Sequence, residues 1–237
     1  MIGSLVSPAL RARVRGIALP IALALGRTGL TPNALTVLGF GISVAAGLAA
    51  GFGAWIPAGL LVIFGGVFDL FDGALARATN TVSRLGAFLD SVFDRAGEAV
   101  VYVGIIAASQ AAGFSAGTIL GAAAMAASFM VSYTRAKSES LGFTPGTKMA
   151  NVGIAPREVR MVIVTIGLLL TGVSGGIVRP VTVFGAVDPW WAGRPALAVA
   201  LGLVAVLASI TTIQRIVHVM RQAPPEEPIV PEGDQHP

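Results

Sequence analysis

The chain alternates long apolar segments with short polar ones. Six apolar segments can be counted, each near the roughly 20 residues that an α-helix needs to cross the hydrocarbon core of a membrane. They cover approximately residues 33–52, 56–76, 85–109, 115–134, 158–178 and 194–216. This pattern predicts an all-α, polytopic membrane protein with six transmembrane helices.

The composition agrees with a membrane protein. Of the 237 residues, 54% are hydrophobic and only 12% are charged, and the mean hydropathy is +0.80, which excludes an ordinary soluble fold. Cysteine is absent, so disulfides are excluded and the redox compartment stays open. The net charge of +4 comes without a basic patch interleaved with aromatic residues. Membrane lipids are therefore expected as partners, and nucleic acid is not.

Residues 1–30 form a basic segment before the first apolar one. Its arginines are Arg11, Arg13, Arg15 and Arg27, and Pro8 and Pro20 interrupt it. These arginines lie too far from the N-terminus for the basic region of a signal peptide. An amphipathic helix on the cytoplasmic membrane surface fits better, and a solvated basic tail is the alternative. The next residues, Thr31 and Pro32, are typical of a helix start, with Thr31 as N-cap.

The distribution of basic residues predicts the orientation. With the N-terminus inside, all of the 16 Lys and Arg residues except Arg179 and Arg194 fall on the cytoplasmic side. We therefore expect a multi-pass protein of the cell membrane with both termini in the cytoplasm. The six-helix domain is expected at 31–221, and a disordered tail at 222–237. Trp190 and Trp191, in the outer loop 171–193, are interpreted as interfacial anchors.

Four aspartates stand out among these apolar segments. Asp69 and Asp72 would share one helix face at spacing i, i+3, and Asp90 and Asp94 would share another at i, i+4, with Gly86 one turn before them. Carboxylates so close repel unless a cation neutralises them. Carboxylate oxygens without nearby His or Cys predict a hard divalent cation, Mg²⁺ or Mn²⁺, expected as two ions. These aspartates would lie at the cytoplasmic end of the bilayer.

Two alternatives apply to these acids. They could pair with Arg77, Arg84 and Arg95, or they could line a water-filled cavity. Ionisable residues in spanning segments are usually functional, which favours the metal site. Gly73 and Gly86 also favour it, because a glycine costs a helix about 1 kcal/mol and is useful where a ligand approaches the backbone.

The spacing of these residues resembles a known signature. The run Asp69-x2-Asp72-Gly73-x2-Ala76-Arg77-x8-Gly86-x3-Asp90-x3-Asp94 is similar to that of the CDP-alcohol phosphotransferases, membrane enzymes of phospholipid synthesis. The resemblance implies an enzyme that displaces CMP from a CDP-linked lipid, with Asp69, Asp72, Asp90 and Asp94 as metal ligands and Asp94 as general base. It also implies a homodimer. The residues expected to bind the CDP-lipid are Asn33, Thr36, Gly73, Ala76, Arg77, Ser83 and Gly86.

A second polar stretch follows the fourth apolar segment. Five basic residues are expected in one cytoplasmic loop, namely Arg135, Lys137, Lys148, Arg157 and Arg160. They could be topology charges near anionic headgroups. Arginine and lysine are also natural receptors for a phosphate group. Arg135 ends one apolar segment and Arg157 precedes the next, so both could face a common pocket.

This stretch, which begins at Ser132, is similar to one branch of the family. That branch contains the phosphatidylinositol phosphate synthases and their archaeal ether-lipid counterparts. The resemblance implies CDP-diacylglycerol or CDP-archaeol as donor and inositol 1-phosphate as acceptor, whose phosphate would bind Ser132, Arg135, Lys137, Arg157 and Arg160. The alternatives are a phosphatidylglycerophosphate synthase using glycerol 3-phosphate and, in another class, a non-enzymatic transporter.

Overall fold

The chain folds into helices, as the apolar pattern predicts. The computed structural model describes residues 8–143, 149, 152–178 and 193–222. Within these residues there is no strand, and the helices are α1 (Pro8–Arg27), α2 (Pro32–Gly51), α3 (Trp55–Ala78), α4 (Arg84–Ala111), α5 (Ser115–Ser140), α6 (Arg157–Val173) and α7 (Gly193–Met220). The prediction of an all-α fold is confirmed.

Four of these helices are long and apolar enough to cross a membrane, namely α2, α3, α5 and α7. The other two predicted spans coincide with α4 and α6 but differ in character. Helix α4 carries Asp90, Asp94, Arg95 and Glu98 within its length. Helix α6 has only 17 residues and begins with charged side chains.

One predicted loop is helical at its beginning. Helix α5 continues past the end of the apolar segment as far as Ser140, so Arg135 and Lys137 lie on its last turns. Arg157 and Arg160 lie on the first turn of α6. The prediction of one loop for all these residues was therefore wrong, because polar residues of good helix propensity extend α5 beyond its apolar part. Lys148 lies outside the described residues.

Polar caps fix where two helices begin. The Thr31 hydroxyl accepts a hydrogen bond of 3.2 Å from the backbone N–H of Ala34, and α2 starts at Pro32, as predicted. The Ser83 hydroxyl likewise accepts a hydrogen bond of 3.0 Å from the backbone N–H of Gly86 at the start of α4. The two helix N-termini are thus defined by side chains.

Helices α2 and α4 pack backbone against backbone. A Cβ atom built on Gly47 would lie 2.5 Å from the carbonyl oxygen of Val100, and one built on Gly104 would collide with the carbonyl of Gly47. Small residues permit such close approach between helices in a membrane. This contact anchors α4, and therefore its aspartates, against α2.

Helix α1 lies against the end of α3. Ala22 of α1 shares a small buried cluster with Leu35, Ala74 and Leu75. The side chains of Arg11, Arg13 and Arg15 lie outside what the structure describes. The amphipathic character of α1 therefore stays a prediction.

Arg194 connects three segments of the chain at the end of the helix bundle opposite the aspartates. Its guanidinium donates to the carbonyls of Ile177 (2.8 Å) and Ala112 (2.7 Å) and lies 5.0 Å from the centre of the Phe114 ring. Arg179, Trp190, Trp191 and residues 223–237 are not among the described residues, so the predictions for the outer loop and the tail are not addressed.

Candidate active site

The four aspartates meet at one end of the bundle. Asp69 and Asp72 lie near the end of α3, and Asp90 and Asp94 lie in the first half of α4. A short turn joins the two helices, and Asn80 adopts φ 54° in it, a left-handed conformation that asparagine tolerates better than most residues. Because the turn reverses the chain, the end of one helix faces the start of the next.

A first cavity of about 490 Å³ opens between the start of α2, the end of α3 and the start of α4. It is lined by Asp69, Asp72 and Asp90. All seven residues expected from the resemblance to bind the CDP-lipid also line it: Asn33, Thr36, Gly73, Ala76, Arg77, Ser83 and Gly86. The fold therefore brings these residues together with three of the four aspartates.

The two glycines in this cavity allow neighbouring side chains to approach. A Cβ atom on Gly73 would lie 3.2 Å from Nη1 of Arg77, and one on Gly86 would lie 3.2 Å from Oδ1 of Asn33. A larger residue at either position would push a polar side chain away from the helix. The bare backbone thus sets where Arg77 and Asn33 lie.

Thr36 holds the most buried of the four acids. Its hydroxyl donates a hydrogen bond of 2.7 Å to Oδ2 of Asp72, and both residues are buried. A buried carboxylate needs such donors to offset the loss of hydration. The contact connects α2 to α3 and fixes the direction of this carboxylate.

A second cavity of about 420 Å³ lies on the other side of the aspartates, between α4, α5, α6 and α7. Of the residues expected to bind the acceptor phosphate, Ser132, Arg135, Arg157 and Arg160 line it. Ala87 and Asp90 line both cavities. The two cavities therefore adjoin at Asp90.

Lys137 lies elsewhere. It is exposed and borders a smaller, mainly apolar cavity of about 200 Å³ beside α7. Residues two apart on a helix do not share a face, so Arg135 and Lys137 of α5 point in different directions. The structure does not bring Lys137 into the group that the sequence predicted.

Arg157 contacts two of the aspartates. Its Nη1 atom lies 2.6 Å from Oδ1 of Asp94 and 2.9 Å from Oδ2 of Asp69. Its Nε atom is buried and has no hydrogen-bond partner in the described part of the chain. A weaker contact of 3.6 Å joins Arg95 to Asp94. The acids are thus partly paired with arginine, as one alternative held, but chiefly with a residue not considered for that role.

Two further charged residues at this site, Glu98 and Arg215, were missed from the sequence. Glu98 is buried and forms a two-point pair with Arg160. Arg215 of α7 is buried at the second cavity and donates to the carbonyls of Val152 and Val131. Arg95, which one alternative named as a partner of the aspartates, lines the same cavity. Glu98 and Arg215 are charges within apolar segments, and that signal could have identified both.

The four carboxylates suit a hard divalent cation in their chemistry. In the described residues, no three Asp, Glu, His or Cys side chains already form a metal-binding cluster. Asp72 turns towards Thr36, whereas Asp69 and Asp94 turn towards one Arg157 nitrogen. That nitrogen forms ion pairs with carboxylates of two helices at once, so Asp69 and Asp94 already share one positive charge.

Several membrane-length helices and a polar site at one end of the bundle are typical of a multi-pass membrane enzyme. Residues 29–188 match the family model described as CDP-alcohol phosphatidyltransferase. The chain belongs to the CDP-alcohol phosphatidyltransferase family, as its signature predicted, and it is a transferase.

Two of the relatives are inositol phosphate synthases. The archaetidylinositol phosphate synthase of Pyrococcus horikoshii is 33% identical over 196 residues, which cover 83% of this chain and 87% of the relative. The phosphatidylinositol phosphate synthase of Mycobacteroides abscessus is 32% identical over 217 residues, which cover 91% of this chain and 88% of the relative.

Solved structures of the Mycobacterium tuberculosis phosphatidylinositol phosphate synthase share the fold. The complex with bound CDP-DAG has a TM-score of 0.69 and 32% identity, covering 86% of this chain and 93% of that one. The complex with manganese and citrate has a TM-score of 0.68 and 30% identity, and the match covers 86% of this chain and 88% of that one.

Proposed function

We propose that this chain transfers the lipid phosphate group from a CDP-linked lipid to inositol 1-phosphate and releases CMP. The observation that carries the proposal is the meeting of two cavities at Asp90, one lined by the signature residues and the other by arginines. A donor and an acceptor bound in them would adjoin beside the aspartates. The phosphatidylinositol and archaetidylinositol phosphate synthases among the relatives support the choice of acceptor.

The donor is CDP-diacylglycerol or CDP-archaeol, held in the first cavity. Its nucleotide and diphosphate contact the seven residues named above, with Arg77 the only cation among them. The CDP-DAG complex of the M. tuberculosis relative supports this class of donor. The apolar part of the donor stays in the membrane.

Asp69, Asp72, Asp90 and Asp94 hold Mg²⁺ or Mn²⁺, as two ions. The manganese complex of the M. tuberculosis relative and the hard carboxylate donors support this. When bound, the cations polarise the diphosphate and neutralise charge on the departing CMP. The protein's part is to orient the carboxylates, and the Thr36 hydrogen bond to Asp72 does so at one of them.

Asp94 acts as the general base. It takes the proton of the acceptor hydroxyl, whose oxygen then bonds to the phosphorus that carries the lipid. The bond from that phosphorus to the bridging oxygen breaks, and CMP leaves with the electron pair. Asp94 suits this role because it lines the second cavity, one helical turn after Asp90 at the boundary.

The acceptor phosphate binds in the second cavity. Ser132, Arg135, Arg157 and Arg160 line it and include three cations. A guanidinium group offers paired N–H donors that suit a phosphate. Lys137 contributes at most at longer range, since it borders a different cavity.

Six helices, α2 to α7, span the membrane, and α1 lies on its cytoplasmic surface. The charges of α4 and α6 then fall at the cytoplasmic end, where they border the site rather than the hydrocarbon. Both termini and the active site face the cytoplasm, in keeping with the distribution of Lys and Arg. The catalytic domain is 31–221, and the enzyme is a homodimer in the cell membrane.

The test is CMP release by the purified protein with Mg²⁺ and CDP-diacylglycerol. We expect turnover with inositol 1-phosphate and none with free inositol or serine, because the arginines of the second cavity require a phosphate. Turnover with glycerol 3-phosphate instead would retain the mechanism and identify a phosphatidylglycerophosphate synthase. Absence of CMP release with every acceptor and with both donor lipids would refute the proposal.

A further inference from the structure

Arg157 belongs to both halves of the proposed site. It begins α6, lines the second cavity, and forms ion pairs with Asp69 of α3 and Asp94 of α4 through one nitrogen atom. Its Nε atom is buried and unpartnered within the described residues, so the side chain has hydrogen-bonding capacity that the two carboxylates do not use. One guanidinium thus connects two proposed metal ligands with the proposed acceptor cavity.

These contacts affect how tightly the carboxylates can hold a cation. Arg157 lies within 3 Å of an oxygen atom on each of Asp69 and Asp94, and all three side chains are largely removed from water. Charges at such distances interact strongly where solvent screens them poorly. A fixed positive charge there opposes the binding of a divalent cation by the same carboxylates.

We infer that Arg157 couples metal binding to acceptor-phosphate binding with positive sign. When a phosphate in the second cavity bonds to Arg157, it neutralises part of the guanidinium charge that acts on Asp69 and Asp94, and these carboxylates bind the divalent cation more tightly. By thermodynamic reciprocity, the cation weakens the two ion pairs and frees Arg157 for the phosphate. This inference rests on the proposed function and adds an energetic link between its two sites.

Arg135 provides a matched comparison. It lines the same cavity and carries the same charge, but its ion pair, at 2.9 Å, is with Glu139 on its own helix. Arg160 is paired with Glu98 in a similar way. Among the three arginines proposed for the acceptor, Arg157 therefore makes the direct contacts with the signature aspartates.

The experiment is a Mn²⁺ titration of the purified protein in detergent, with free Mn²⁺ followed by its electron paramagnetic resonance signal. Without phosphate, Arg157→Gln should bind Mn²⁺ about 5-fold or more tightly than the wild type, within the range of typical coupling energies. Arg135→Gln should stay within about 2-fold, because its charge acts at longer range. Unchanged or weaker Mn²⁺ binding by Arg157→Gln would refute the inference, as would equal tightening in both variants.

A second arm uses inorganic phosphate as the probe, with the Mn²⁺ signal calibrated in the same buffer. Phosphate should tighten Mn²⁺ binding by the wild type and have a smaller effect on Arg157→Gln. If phosphate leaves Mn²⁺ binding by the wild type unchanged, the inference fails.

Two precautions keep the outcome decisive. Arg157→Met removes the same charge and replaces Arg157→Gln if that variant does not fold, as judged by its thermal unfolding.

Because the readout is metal affinity, it is independent of turnover. Normal CMP release by the wild type with no tightening in the variant would overturn only the inference, whereas loss of all CMP release concerns the proposed function.

Discussion

Arg160 and Glu98 form a buried two-point ion pair between α6 and α4. The Nε atom of Arg160 lies 2.9 Å from Oε1 of Glu98 and Nη2 lies 2.8 Å from Oε2, while the two side chains are 1% and 3% exposed. Nη1 donates to the carbonyl of Ala155 at 3.1 Å. Arg160, which is predicted to bind the acceptor phosphate, is therefore held in place by a buried acid that was not predicted at this site.

Glu98→Ala should strongly destabilise the protein. It leaves the Arg160 charge buried without its partner, which costs about 3–5 kcal/mol in comparable cases. The measurement is the free energy of unfolding in detergent. Glu158→Ala is the control, because Glu158 is an exposed acid on the same turn of α6 and its loss should change stability by about 0.5 kcal/mol or less.

A double substitution separates the pair's charge from its packing. Glu98→Leu combined with Arg160→Met removes both charges and keeps apolar volume, so most of the lost stability should return. The acceptor KM should nevertheless rise if Arg160 helps to bind the phosphate. Equal stability of Glu98→Ala and the wild type would show that water solvates Arg160 in solution.

Asp94→Asn should abolish most of the transfer activity. An amide cannot accept the proton of the acceptor hydroxyl, and loss of a general base costs about 100- to 10,000-fold in rate. The rate of CMP release is measured at saturating Mn²⁺, and Mn²⁺ binding is measured in the same samples. A near-normal rate with intact metal binding would exclude Asp94 as the base.

Thr36→Val should destabilise the protein and weaken metal binding while preserving side-chain shape. The change removes the donor to Asp72, and hydrogen bonds to charged groups contribute about 1.5–3 kcal/mol. Unfolding in detergent and Mn²⁺ titration are the measurements. Thr79→Val is the control, because the Thr79 hydroxyl donates to the Leu75 carbonyl at the exposed end of α3. Equal effects of the two changes would contradict a special role for Thr36.

Local sequence features were sufficient to predict the helices and the grouping of the aspartates on α3 and α4, whereas Asn33 and Thr36 of the first cavity were expected only from the resemblance. Thr31 and Pro32 mark the start of α2 by their own chemistry. The signature residues of α3 and α4 are close in sequence, so helix geometry and one short turn place them together. Such information is contained in a window of about one helical hairpin.

The second cavity could not be predicted in the same way. Arg157 is 88 residues from Asp69, and Arg160 is 62 residues from Glu98, so their contacts depend on how α6 packs against α3 and α4. Lys137 and Arg135 were separated by the continuation of α5 beyond its apolar part, which hydropathy does not reveal. Contacts of this kind arise from tertiary packing.

The cysteine-free sequence permits a direct test of orientation. Single cysteines are placed at Phe52, which is 88% exposed between α2 and α3, and at Ala78, which is exposed at the other end of α3. We expect a membrane-impermeant maleimide to label Phe52→Cys in intact cells and Ala78→Cys only after permeabilisation. The reverse pattern would place the aspartates outside the cell.

The close contact of α2 and α4 predicts an effect of a single methyl group. Gly47→Ala places a Cβ atom against the backbone and side chain of Val100, so the helices must move apart, and such overpacking costs about 1–3 kcal/mol. The matched control is Gly41→Ala on the same helix, where a Cβ atom meets nothing within 4 Å. Thermal unfolding in detergent should separate the two variants.

Because α4 carries Asp90 and Asp94, Gly47→Ala should also lower Mn²⁺ affinity. Gly41→Ala should leave both the thermal stability and the Mn²⁺ affinity at the wild-type level. If the two variants behave alike, α2 and α4 do not pack as closely in the membrane as their glycines indicate.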